Sequence, residues 1–250
     1  WIVFLLALAL PAISVEAQAV QPLLQEQTDF DLLGVAWSPD GGLIAVDEPG
    51  GTVIFNAALQ EVTHLSGDSI ASLAWNPQGT QLATGGGFDA NQGEIQIWQR
   101  DLILNTFTLD TSFHNSHEDV FSVAWSPNGT MLATASRDSW DGLDPIVFTI
   151  EIWNTDDWTL KTTLKHQYLD GSYNLSWSPD STRIAGAGTE YTCNAAACSP
   201  YKSGFYVADV ETGDRLLFLG EDYPSSLDWS KDNVIAVNWP ILALYDPDSG

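Results

Sequence analysis

Five segments of this chain share one short pattern, and their spacing constrains the fold more tightly than any other feature. They read Val35-Ala36-Trp37-Ser38-Pro39-Asp40-Gly41, Leu73-Ala74-Trp75-Asn76-Pro77-Gln78-Gly79, Val123-Ala124-Trp125-Ser126-Pro127-Asn128-Gly129, Leu175-Ser176-Trp177-Ser178-Pro179-Asp180 and Leu227-Asp228-Trp229-Ser230-Lys231-Asp232. The Trp residues at 37, 75, 125, 177 and 229 are separated by 38, 50, 52 and 52 positions. A repeat of that length means one supersecondary unit used five times. One such unit cannot bury its own apolar surface and is completed by stacking on its neighbours.

The third copy shows what the unit is. Phe121-Ser122-Val123-Ala124-Trp125 alternates apolar positions as a half-buried strand does. Ser126-Pro127-Asn128-Gly129 is a turn: Pro presets φ, and Asn and Gly tolerate its left-handed region. Met131 to Ala135 returns as a second strand, Ile150-Glu151-Ile152-Trp153-Asn154 is a third, and Leu160 to Leu164 is a fourth. The unit is therefore a four-stranded antiparallel meander. The five turn-entry Trp residues are expected to be core, since burying each contributes roughly 2–3 kcal/mol and the period accounts for all of them.

Across about residues 35 to 250 the chain resembles the WD-repeat β-propeller family. The resemblance rests on the five strand-turn-strand motifs and on the third-strand endings Phe55-Asn56, Trp98-Gln99, Trp153-Asn154, Ala208-Asp209 and Tyr245-Asp246. The family's Trp-Asp dipeptide is intact in none of them. The last two copies, with Val210-Glu211-Thr212-Gly213 and Asp246-Pro247-Asp248-Ser249-Gly250, also look like TolB-type repeats. The resemblance implies an all-β propeller of four-stranded antiparallel blades, with about five blades present. Since the family most often has seven, it also implies a truncated seven-bladed ring. It further implies a hydrogen-bonded structural tetrad in the third copy, at His117, Ser136, Asp138 and Trp153.

The chain opens on Trp1 to Leu10, an apolar run too short to cross a bilayer. Pro11 and then Ala17-Gln18-Ala19 follow, as in a signal peptide cut after Ala19. The competing reading is a buried N-terminal strand. The expected organisation is a signal peptide at 1–19 without its n-region, a lead-in strand at 20–34 and an incomplete propeller at 35–250. Cys193 and Cys198 are the two cysteines, and in an exported chain they favour a disulfide. Two thiols without nearby His do not make a zinc site.

Acidic residues number 33 against 8 basic, a net charge of −25. That excludes the phosphate-neutralising chemistry of nucleic-acid binding and adhesion to an anionic membrane. No stable membrane insertion is expected once the signal is removed. The acids are dispersed through turns, which favours solubility as their reason.

A meander sends its 2–3 loops and its interblade links to one end, and its 1–2 and 3–4 turns to the other. Here the first class is elaborated and the second is tight. The rim expected to bind a partner therefore carries Phe88, Trp140, Tyr191, Tyr201 and Tyr223, aromatics mixed with carboxylates. Trp140 stands out because it interrupts a polar loop. The competing reading is that these rings pin long loops to the blades. His114, His117, Glu118 and Asp119 offer no fixed ligand geometry, and Asp138, Asp141 and Asp144 lack the alternating spacing of a Ca²⁺ loop, so no metal is expected. No nucleophile elbow, zinc-protease helix or phosphate loop occurs. The reading is a non-catalytic exported scaffold for a protein or peptide partner, without a cofactor. The alternative is the propeller domain of an extracellular hydrolase of peptidase or glycosidase type.

Overall fold

The structure is a computed structural model that describes residues 34–48, 50–67, 70–86, 93–115, 119–137, 148–166, 169–170, 174–193, 198–220, 226–238 and 242–248. The chain is a β-propeller array of five antiparallel sheets, and no helix occurs among the described residues. Blade 1 comprises β1 (Val35–Trp37), β2 (Leu43–Glu48), β3 (Gly51–Asn56) and β4 (Glu61–Ser66). Blade 2 comprises β5 (Ile70–Trp75), β6 (Gln81–Gly86), β7 (Glu94–Arg100) and β8 (Phe107–His114). Blade 3 comprises β9 (Asp119–Trp125), β10 (Met131–Arg137), β11 (Phe148–Asn154) and β12 (Leu160–His166). Blade 4 adds a short β13 (Leu169–Asp170) to β14 (Leu175–Trp177), β15 (Arg183–Cys193), β16 (Cys198–Asp209) and β17 (Arg215–Leu219). Blade 5 shows three strands among the described residues: β18 (Ser226–Trp229), β19 (Ile235–Asn238) and β20 (Leu242–Tyr245). In each blade, neighbouring strands in the sheet are also consecutive in sequence, apart from the added β13.

The repeated turn is built around one small buried side chain. In blades 1, 3 and 4, Ser38, Ser126 and Ser178 accept the first N–H of the second strand, at 2.9, 3.0 and 2.9 Å. Each hydroxyl also donates to the acid or amide two residues on: Asp40 at 2.5 Å, Asn128 at 2.7 Å and Asp180 at 2.6 Å. In blade 2, Asn76 does the same work, its Oδ1 accepting from the N–H groups of Thr80 and Gln81. The fourth position of the turn is left-handed in every copy: Gly41, Gly79 and Gly129, then Ser181 and Asn233. Ser181 occupies a glycine position because its hydroxyl accepts the N–H of Asn128 in the neighbouring blade.

Four apolar clusters fill the four interfaces between five blades. Leu43, Ala45 and Ile54 of blade 1 meet Leu73, Trp75 and Leu82 of blade 2. Ala83, Ile95 and Ile97 on the other face of blade 2 meet Val120, Val123, Trp125 and Leu132 of blade 3. Ala135, Ile150 and Ile152 meet Trp177, Ile184 and Tyr206. Phe205 and Val207 meet Leu227, Trp229 and Val237. Strict alternation sends one set of side chains to each neighbour, which is why the strands read as apolar on both faces.

The motif Trp does more than fill these interfaces. The indole N–H of Trp75 donates to the Ala36 carbonyl at 3.1 Å, that of Trp125 to Ala74 at 3.0 Å and that of Trp177 to Ala124 at 2.9 Å. Blades 2, 3 and 4 are thus each tied by an indole hydrogen bond to the blade before, and the buried indole keeps its polar handle satisfied. Trp229 breaks the series by donating to Asn233 of its own turn. The expectation that all five are core holds for four. Trp37 is 56% exposed. Its face points back along the array, where no described blade precedes blade 1.

Candidate functional site

In blade 3 a polar centre forms around Thr134, beside the two described members of the expected tetrad, Ser136 and Trp153. The Trp153 indole and the Asn115 amide both donate to Thr134 Oγ1, each at 3.1 Å. Thr134 and Asn115 are buried. Ser136 lies two residues further along β10, and its hydroxyl is buried without a hydrogen-bond partner among the described residues. The physical reason is register: Thr134 lies opposite Glu151, between the Leu132–Trp153 and Ser136–Thr149 pairs on one face, which brings it nearer Trp153 than Ser136 is. His117 and Asp138 lie outside the described residues. Blade 2 has the same Thr–Trp pair in Thr84 and Trp98, but Gly67 stands where blade 3 has Asn115. The equivalence follows from the bonds Gly67 N–H to Gly50 O and Asn115 N–H to Gly93 O. Among the described residues, Thr84 Oγ1 and Trp98 Nε1 are accordingly buried without partners. Blade 4 has no third-strand Trp. There Tyr206 fills the space instead, lying over Gly186, with which it is paired in register. These centres are structural, not reactive.

The elaborated rim has one well-placed part among the described residues. β15 and β16 are 11 and 12 residues long, against six or seven for the second strands of blades 1 to 3. β14 pairs with β15 only as far as Gly186. The hairpin therefore extends past β14 by seven residues of β15, on the order of 20 Å at the usual rise, with β13 flanking Thr189 and Glu190 on the way. Tyr191 is paired with Pro200, and a register shift beside it leaves Tyr201 as the bulged residue, so both tyrosines sit at one level of this arm. Cys193 and Cys198 face each other in register at its tip. Phe88, Trp140 and Tyr223 lie outside the described residues.

The opposite, tight-turn rim holds a groove of about 500 Å³ between blades 3 and 4. Asp156, Asp157, Asp209, Glu211 and Lys161 line it. Its acids are engaged in their own turns. Asp157 accepts from the Thr159 hydroxyl and N–H. Asp209 accepts from the N–H groups of Glu211 and Thr212. Lys161 Nζ pairs with Glu211 at 2.7 Å. These bonds hold both Asp157 and Asp209 below the ordinary carboxylate value, through Thr159 and Thr212 respectively. Among the described residues, no group of three or more His, Cys, Asp or Glu is placed to hold a metal ion.

The family described as eukaryotic translation initiation factor eIF2A matches residues 15–144, just over half of the chain. The chain belongs to that family. The match covers blades 1 and 2 and the first two strands of blade 3, the part in which the Trp-to-carbonyl ties begin. No curated protein matches the chain. Among solved structures, hydrazine synthase of Kuenenia stuttgartiensis superposes with a TM-score of 0.65 at 16% identity, over 81% of this chain and 60% of that one. The chain thus spans less than two thirds of that relative's length, and at this identity the likeness is one of fold.

Proposed function

We propose that this eIF2A-family chain is an exported, non-catalytic propeller that binds a protein or peptide on its elaborated rim. The observation that carries the reading is the blade 4 arm. A hairpin stiffened by an unbroken ladder from Arg183 to Glu190, resuming after one bulge, puts Tyr191 and Tyr201 at one level, next to the residues that β13 flanks. Aromatic side chains on a rigid support lose little freedom when they bind. The charge of −25 directs the choice of partner away from nucleic acid and toward a basic protein surface. Trp140, Phe88 and Tyr223 are assigned to the same rim by the meander's alternation of ends.

Export is proposed from the apolar run at 1–10 and the small-residue cleavage pattern ending at Ala19, and a Cys193–Cys198 bond from the same compartment. The binding reading is tested by selecting peptides against the folded protein from a displayed library and measuring their affinity for wild type and Trp140→Ala. The variant is expected to bind about tenfold more weakly with an unchanged melting temperature. A lower melting temperature with unchanged affinity would mean that Trp140 packs its loop and does not bind. Export is tested separately: the mature N-terminus is expected at Val20, and recovery of residues 1–10, or two freely alkylated thiols, would refute it.

A further inference from the structure

The 3–4 turn of blade 2 exposes three consecutive aliphatic side chains. Leu102, Ile103 and Leu104 are 55%, 90% and 69% exposed. No counterpart does this. The turn of blade 1 reads Ala57-Ala58-Leu59. That of blade 3 turns its Trp158 inward against Phe113 and Trp125. That of blade 4 buries Val210. Turns favour Gly, Asn, Asp and Ser, so three aliphatics at a tip answer no need of the fold.

The tip is held rigid. Asp101 Oδ1 accepts the N–H groups of Ile103 at 2.8 Å and Leu104 at 2.9 Å. The Asn105 N–H closes onto the Asp101 carbonyl at 2.8 Å, and Asn105 takes the left-handed conformation that lets the chain return. Arg100, itself buried, grips Asn105 Oδ1 through Nη2 at 2.8 Å and reaches Asp40 of blade 1 through Nη1 at 3.0 Å. An apolar knob pre-set in this way spends little ordering entropy on docking. The turns of the same rim carry exposed carboxylates; Asp101 in the prong's own turn, Asp156 in blade 3 and Asp180 in blade 4 are in no ion pair among the described residues, whereas Asp40 and Asp232 already face Arg100 and Lys231. Four cations of that rim are already matched: Arg100 by Asp40, Lys161 by Glu211, Arg183 by Asp248 and Lys231 by Asp232. The surface therefore presents an apolar prong in a negative field.

We propose that Leu102, Ile103 and Leu104 anchor a second docking face on the tight-turn rim, and that its occupant is a basic amphipathic helix of a partner protein. Such a helix offers an apolar stripe for the prong, flanked by lysines or arginines that meet the rim carboxylates. This rests on the reading of the chain as a protein-binding propeller but uses the opposite rim, so the two fail separately. The test is fluorescence anisotropy of a labelled Leu/Lys amphipathic peptide titrated with wild type and with Ile103→Ser/Leu104→Ser. The expected result is saturable binding that weakens with added salt and is about tenfold weaker in the double variant, at an unchanged melting temperature. Equal affinity for both proteins, or no saturable binding, would overturn the proposal. So would sedimentation of wild type, but not of the variant, with neutral phosphatidylcholine vesicles, which would make the prong a membrane contact.

Discussion

At the scale of single residues, the polar centres of blades 2 and 3 make opposite predictions for the same substitution. Trp153→Phe removes a donor that Thr134 uses, and is expected to cost about 1 kcal/mol beyond the lost ring area. Trp98→Phe removes a buried N–H that has no partner, so its lost area is offset by relief of an unsatisfied donor. Urea denaturation of the two variants should place Trp98→Phe nearer wild type. If Trp98→Phe is the costlier of the two, the account of blade 2 as a broken centre is wrong. The 3–4 turns give a second case. Leu59 stands in the left-handed conformation that Asn105 takes at the matching place in blade 2. Asn tolerates that region and Leu does not, so Leu59→Asn should stabilise by up to about 1 kcal/mol, read as a higher melting temperature.

At the scale of elements, the Ser-Pro-Asp turns link stability to acid. Asp40 and Asp180 are held below the ordinary carboxylate value of 3.8, chiefly by the hydroxyls of Ser38 and Ser178. A depressed carboxylate contributes stability that is full above its unfolded value and lost as pH falls through the folded one. The turns are therefore expected to be insensitive between about pH 5 and 8 and to weaken below about pH 4. Asp180→Asn keeps the acceptor, as Asn128 does in blade 3, and removes the proton linkage. Its urea midpoint should fall less than that of wild type on acidification, and an equal fall would rule out a contribution from this turn. Blade 4 is held by a different fit. A Cβ on Gly186 would collide with the Tyr206 ring and hydroxyl. Gly186→Ala should therefore cost roughly 1–3 kcal/mol, and less when combined with Tyr206→Leu than the two single costs together predict.

At the scale of the whole molecule, the Trp series separates a blade's inner joints from its end face. Trp125→Phe breaks the tie to Ala74 inside the blade 2–3 interface and is expected to cost about 1–2 kcal/mol. Trp37→Phe alters an exposed ring and should stay within about 0.5 kcal/mol. Equal effects would mean that the face of blade 1 is covered in solution. A net charge of −25 is also a property of the whole molecule. Its self-repulsion opposes compaction, so raising salt from low to physiological strength is expected to raise the melting temperature.

The repeat alone determined the fold class. A fixed period, Trp at strand ends and Pro and Gly in turns are local signals, and each blade is assembled from contacts close in sequence. The strand pairings in blade 3 follow the expected segments because alternation specifies which face is buried. Alternation does not say what stands on the far side of that face. For that reason the sequence made Trp37 and Trp125 equivalent, and only the packing of blades distinguished an exposed indole from one bonded to the next blade. Likewise the pattern Ser136-x-Asp138 pointed to Ser136, while register and the approach of Asn115 from the interblade link gave Thr134 the bond. The Leu102-Ile103-Leu104 tip was not singled out in the sequence, where the 3–4 turns read only as tight. Its exposure is not legible there, because a turn's apolar residues fold inward or outward according to whether the neighbouring elements leave room, as Trp158 shows in blade 3. Local chemistry sets what each unit is, and the contacts between units, made by residues about fifty positions apart, decide which of its side chains remain available to anything else.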